Sequence, residues 1–157
     1  MYQPRTPGYR KQDATARWNL PDRVFFACGA CHILAYAFHE KFPEANVAPL
    51  WIKPALGYTG NHIVVSGDGM VFDYHGVADQ TRYIARTIDR AGKRWPGWSC
   101  SLKPLAWPDL ISEALSKRHD GLWLREPEQF LHDALPRARQ YLDRFRPDVF
   151  RPLLGST

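Results

Sequence analysis

The chain has 157 residues, 45% hydrophobic and 24% charged, a composition that suits one soluble globular domain whose core needs neither disulfides nor metal. Lys and Arg outnumber Asp and Glu by 21 to 16, for a net charge of +5, yet the basic residues are spread over Arg82 to Arg94 and Arg137 to Arg146 with no zinc finger, RNP-like strand or helix-turn-helix; solvated helix faces explain them better than a nucleic-acid surface. No apolar run approaches membrane-spanning length and Met1 to Arg17 lacks the apolar centre of a secretion signal, while three cysteines, an odd number, argue against a disulfide framework and fit the cytoplasm, although an effector exported by a specialised system would share these features.

In chain order, Met1 to Pro21 reads as an extended arm packed at its end by Trp18 and Leu20. Val24 to Ala27 reads as a short strand or loop leading into a helix from about Ala30 to Lys41, with Ala30, Ile33, Leu34, Ala37 and Phe38 as its buried stripe and Pro43 as its stop. Asn46 to Lys53 predicts a strand, shortened or bulged at Pro49, and Pro54 to Gly60 a loop. Asn61 to Val65 and Met70 to Tyr74 predict a hairpin around Ser66-Gly67-Asp68-Gly69, ended by Gly76.

A helix over Ala78 to Ala91 is expected to stop at Gly92, and a strand over Trp98 to Leu105 would put Cys100 in the core. Trp107-Pro108-Asp109 opens a helix running to about His119. Pro127 opens another, kinked or divided at Pro136, and Arg151 to Thr157 reads as a tail. The whole predicts an α+β domain over residues 1–157: a helix packed on a small antiparallel sheet, with additional helices towards the C-terminus.

Chemistry concentrates in three places. Cys28-Gly29-Ala30-Cys31-His32 puts cysteine at a helix start, where unpaired backbone N–H groups favour thiolate and could receive an oxyanion. His62 and Asp73 lie on the two strands of the hairpin. With Asp68-Gly69 as a two-residue loop, His62 faces His75 and is diagonal to Asp73; with Gly67-Asp68 it faces Asp73, and both registers place the pair on one face. A helix-terminal thiol, a histidine and a carboxylate form a nucleophile, base and orienter. Asn61, Tyr74 and His75 adjoin this set as substrate contacts or hairpin packing.

Cys28-Gly29-Ala30-Cys31-His32 is similar to the Cys-Gly-Ser-Cys-Trp around the papain nucleophile. The order of cysteine, histidine and aspartate, the last two on neighbouring strands about ten residues apart, resembles transglutaminase-like proteins and arylamine acetyltransferases. The resemblance covers Val24 to Val77 and implies a papain-like or transglutaminase-like core with Cys31, His62 and Asp73 as triad. It implies a cysteine hydrolase or acyl-transfer enzyme acting on an amide, peptide or isopeptide bond of a protein or peptide, as a peptidase, deamidase or transglutaminase, with no cofactor. Phe25 stands six residues before Cys31, where papain-like enzymes carry glutamine, so Trp18 and Asn19 are the substitutes considered for the second oxyanion donor.

Competing readings use the same residues. C-x-x-C-H is also the attachment pattern for c-type haem, with His32 as one ligand and Met70 or another histidine opposite. C-x-x-C at a helix start also suits a redox dithiol, which requires an opposing proline loop that none of Pro43, Pro49 or Pro54 supplies convincingly. Zinc lacks a second ligand pair. Each residue alone reads as packing, and a non-catalytic binding module for protein or nucleic acid on the same fold is the alternative from a different class.

Overall fold

The structure is a computed structural model that describes residues 13–155; the expected arm falls largely on residues 1–12, outside them. Where the end of that arm was expected, Asp13 accepts a hydrogen bond from Ala16 N–H and caps a short helix, α1 (Ala14–Trp18). The predicted strand or loop at Val24 to Ala27 is instead helix α2 (Asp22–Ala27). Consecutive Phe25 and Phe26 both join one apolar cluster, whereas a strand would send them to opposite faces. Arg137 clamps the α1–α2 turn, donating to the Trp18 and Leu20 carbonyls and to the Asp22 carboxylate at 2.6–2.7 Å, so this arginine is structural rather than part of a solvated face.

Helix α3 (Cys31–Lys41) buries nearly every residue of its first two turns, not a single stripe. It lies between α2, α6 (Ala134–Leu142) and one face of a five-stranded antiparallel sheet, which makes the domain α+β. The strands are β1 (Ala48–Pro54), β2 (His62–Gly67), β3 (Met70–Asp73), β4 (Gly76–Asp79) and β5 (Cys100–Pro104), in the spatial order β4-β3-β2-β1-β5. The β2–β3 hairpin pairs Gly67 with Met70 across Asp68-Gly69, whose φ values of 50° and 75° match the mirror-image two-residue turn that fits the twist of the strands. Gly76 does not end the sheet: the chain reverses at Tyr74-His75 and β4 pairs back onto β3.

The sheet has two unequal covers. Ile63, Val65, Phe72 and Trp51 face α3, α6 and the C-terminal turns in one large apolar cluster. Ile52, Val64 and Val71 face Tyr83, Ala91 and Trp98 in a smaller one. Its helix, α4 (Gln80–Arg94), begins where the Asp79 side chain accepts from Arg82 N–H and continues through Gly92, at a cost of about 1 kcal/mol relative to Ala. Cys100, on edge strand β5, is half-buried rather than core.

Among the described residues the C-terminal part breaks into short pieces. A 3-10 turn (Trp107–Ile111) and α5 (Glu113–Ser116) replace one predicted helix, because the Ser112 side chain accepts from Leu115 N–H and restarts the chain. The helix expected from Pro127 is a 3-10 turn (Pro127–Gln129) followed by α6, in which Pro136 sits in the first turn and breaks no hydrogen bond. A further 3-10 turn (Pro147–Phe150) precedes the expected tail, which itself forms α7 (Arg151–Leu154), and the two bury Phe150 and Leu153. Among the described residues no helix is long and apolar enough to cross a membrane.

Candidate active site

Cys31 is the first residue of α3, an eleven-residue helix. The turn before it requires glycine: Gly29 has φ +111°, and a Cβ there would collide with the Arg17 guanidinium. Ile33 and Leu34 N–H bond back to the Ala30 carbonyl, so the earlier N–H of Cys31 lies outside the helix ladder and is the first oxyanion donor to consider.

His62 opens β2. Strand alternation puts it with Val64, Val71 and Asp73 on the α4 side, whereas Cys31 arrives from the α3 side. The two meet because His62 is at the end of its strand, where its ring reaches past the sheet to a hydrogen bond with Cys31. His62 Nε2 lies 3.1 Å from Asp73 Oδ2, which leaves Nδ1 for the sulfur. The observed register is the one with Asp68-Gly69 as loop, so the His62–Asp73 contact is the diagonal one.

Asp73 is buried and surrounded by donors: His62 and the Tyr83 hydroxyl on Oδ2, and the His75 N–H on Oδ1 at 2.8 Å. Burial alone would raise its pKa; the His62 hydrogen bond and charge, with Tyr83 and the His75 amide, hold it below the usual carboxylate value. Burial likewise opposes ionisation of Cys31, but hydrogen bonds from His32 and His62, with their charges, bring the thiol down to about 5. Burial disfavours the charged form of His62; Asp73 and Cys31 overcome it and raise the imidazole to about 10. At neutral pH the pair is therefore thiolate and imidazolium. Cys28 and Cys100 are pushed up by burial, and Cys28 further by the Cys31 charge, so the three thiols are strongly unequal.

Two participants have no local signal in the sequence. His32, adjacent to the nucleophile, also hydrogen-bonds the thiol, and its Nε2 is 2.7 Å from the Arg125 carbonyl, an acceptor that fixes a proton on that nitrogen. Sequence considered it only as a haem ligand. Tyr83 reaches Asp73 from α4, a helix whose placement over the sheet only the tertiary fold decides. Of the other expected residues, Asn61 Oδ1 accepts from the buried Trp51 indole at 2.9 Å, and Tyr74 is buried with its carbonyl bonded by the Tyr141 hydroxyl. His75 Nδ1 is 3.0 Å from Arg23 Nη2. Trp18 packs edge-on against Phe25 and His132, and Asn19 is exposed after α1.

Met70 lies at the turn end of its hairpin, remote from the end that meets Cys31, which suits no haem ligand opposite His32. Among the described residues no group of three or more His, Cys, Asp or Glu is placed to hold a metal ion. Against known proteins, the chain matches no family model, no curated protein and no solved structure.

Proposed function

We propose that this protein is a cysteine hydrolase or acyl-transfer enzyme acting on an amide, peptide or isopeptide bond, with a papain-like or transglutaminase-like core. The observation that carries the reading is the continuous relay from Cys31 through His62 to Asp73, with the sulfur at a helix start. In this reading the thiolate attacks the carbonyl carbon and the carbonyl oxygen takes up the displaced electron pair beside the Cys31 N–H. The imidazolium of His62 then protonates the leaving amine as the C–N bond breaks, giving a thioester. Water or an amine, deprotonated by His62, attacks that thioester and returns the thiol. Asp73 holds the ring and stabilises its charged form throughout.

The experiment is labelling with an electrophilic peptide probe at mildly acidic pH, followed by mapping of the modified residue. Modification of Cys31 alone is the expected result. Equal modification of the three cysteines, rising only near the pKa of a free thiol, would overturn the reading. One observation favours a second reading, a binding module that retains the triad without turnover: Cys31 is only 8% exposed. Under that reading small alkylating agents reach the sulfur but peptide probes do not.

A further inference from the structure

Helix α4 buries Tyr83 and Ala91 and leaves two adjoining stripes uncovered on its other side. One stripe is basic. Arg82, Arg86 and Arg90 stand at successive i, i+4 positions, about 6 Å apart along the axis, and Lys93 and Arg94 continue the charge to the helix end. The two carboxylates of this segment are engaged: Asp79 caps the helix by accepting from Arg82 N–H, and Asp89 pairs with Lys93 at 3.3 Å. Among the described residues no carboxylate forms an ion pair with Arg82, Arg86 or Arg90. Like charges at this spacing repel, so the row of arginines destabilises the helix that carries it.

The other stripe is uncharged. Thr81, Ala85, Ile88 and Gly92 follow one another at spacings of four, three and four, the pattern with which one helix receives another. Ile88 is 40% exposed. Gly92 weakens the helix, and nothing inside the domain calls for it, because a Cβ there would meet no atom within 4 Å. A second helix passing close to that spot would call for it.

We propose that this face of α4 docks an acidic amphipathic helix of a partner protein, with the partner's apolar ridge along Ala85, Ile88 and Gly92 and its carboxylates against Arg82, Arg86 and Arg90. Charge complementarity selects this occupant: carboxylates one turn apart on a helix repeat at the same rise as the arginines, and each suits the planar guanidinium fork. A nucleic-acid backbone would engage the arginines but leave Ile88 facing water, and a second copy of this chain would set arginine against arginine. The surface does not depend on Cys31 being a nucleophile.

The test is fluorescence anisotropy with a labelled synthetic helix of about 20 residues, apolar at heptad positions a and d and flanked there by Glu. Its controls are the same peptide with Gln for Glu and a scrambled peptide of equal charge. The acidic helix should bind at least about tenfold more tightly than either control, and the advantage over the Gln peptide should shrink as salt rises. Arg82→Gln, Arg86→Gln and Ile88→Gln should each weaken binding about threefold or more, whereas Arg118→Gln, an exposed arginine elsewhere, should not. Because Arg82→Gln and Arg86→Gln relieve repulsion within α4, their denaturation midpoints should hold or rise, which separates lost docking from lost folding. Absence of binding, equal binding of the scrambled peptide, or affinity unchanged in the three α4 variants would overturn the proposal. So would tighter binding of a duplex DNA or single-stranded RNA oligonucleotide through the same arginines, which assigns the face to a nucleic acid, or self-association abolished by Ile88→Gln, which assigns it to a second copy.

Discussion

Two histidine–carboxylate pairs in this chain have nearly the same geometry. His62 Nε2 is 3.1 Å from Asp73 Oδ2, and His119 Nε2 is 2.9 Å from Asp109 Oδ2. In each, the partners are close in sequence and the aspartate also accepts a backbone N–H, from His75 in one case and Ala106 in the other. They differ in what reaches the histidine from elsewhere. His62 meets a thiol delivered by α3 on the far side of the sheet, and its side chain is 15% exposed; that of His119 is 36% exposed and sits beside a 3-10 turn. A histidine–aspartate contact can thus be a local staple, and the proposed function turns on the thiol that the fold brings to the other ring nitrogen of His62.

The largest effect that can break this comparison is removal of the imidazole. His62→Ala should lower the rate of Cys31 alkylation near pH 6 by roughly a hundredfold to a thousandfold, because the thiolate loses its main cation. His119→Ala should leave that rate within about twofold. Mass-spectrometric rate measurements on both variants decide it; equal losses would mean that the two pairs act alike.

Removing the carboxylates should separate the pairs less sharply. Asp73→Asn is expected to slow turnover of an amide substrate by about tenfold or more through loss of imidazole orientation, while the protein still unfolds cooperatively. Asp109→Asn should cost about 1 kcal/mol of stability through a weakened hydrogen bond and leave Cys31 reactivity unchanged. Denaturation midpoints and alkylation rates, measured together, distinguish the two outcomes.

A third contrast is in pH dependence. Cys31 is lowered from 9.0 to about 5, so between those values the folded state holds fewer protons and stability rises with pH. His62 is raised from 6.5 to about 10, so across that interval the folded state holds more protons and stability falls with pH. The two slopes oppose each other between 6.5 and 9.0, giving a plateau that declines as pH drops towards about 5 or rises towards about 10. Asp73, whose pKa is lowered, keeps its contribution above the ordinary value of 3.8 and loses it only in stronger acid. Denaturant midpoints across this range should show the plateau in the native protein, and its acid edge should shift in Cys31→Ser.

The smallest expected effect concerns Cys28. Its pKa is raised and it makes no part of the relay, so Cys28→Ser should change Cys31 labelling by less than about threefold, and the purified native protein should show no haem absorbance. Loss of labelling equal to that in Cys31→Ser, with a reversible Cys28–Cys31 disulfide, would favour a redox dithiol instead.

Much of the arrangement around the sulfur is written locally. The helix start at Cys31, its end near Pro43 and the Asp68-Gly69 turn are short-range matters of capping, ring geometry and positive φ, which neighbouring residues decide by themselves. Period-two alternation then dictates that His62 and Asp73 share a face whichever two-residue loop forms. Elements that depend on distant partners were not legible in this way. Phe25 and Phe26 turn helical because both are drawn to one core containing Phe130 and Tyr141, more than a hundred residues later in the chain. β4 exists because β3 offers it an edge, and α4 covers the second sheet face because Tyr83 finds Asp73 there. His32 acquires a role only when the Arg125 carbonyl arrives to orient it. Sequence by itself determined which residues could form the nucleophile, base and orienter, since local backbone preferences act within a few residues. Only the tertiary structure decided that the thiol and imidazole meet around the end of the sheet, because burial and long-range hydrogen bonds are set by what else fills the same space.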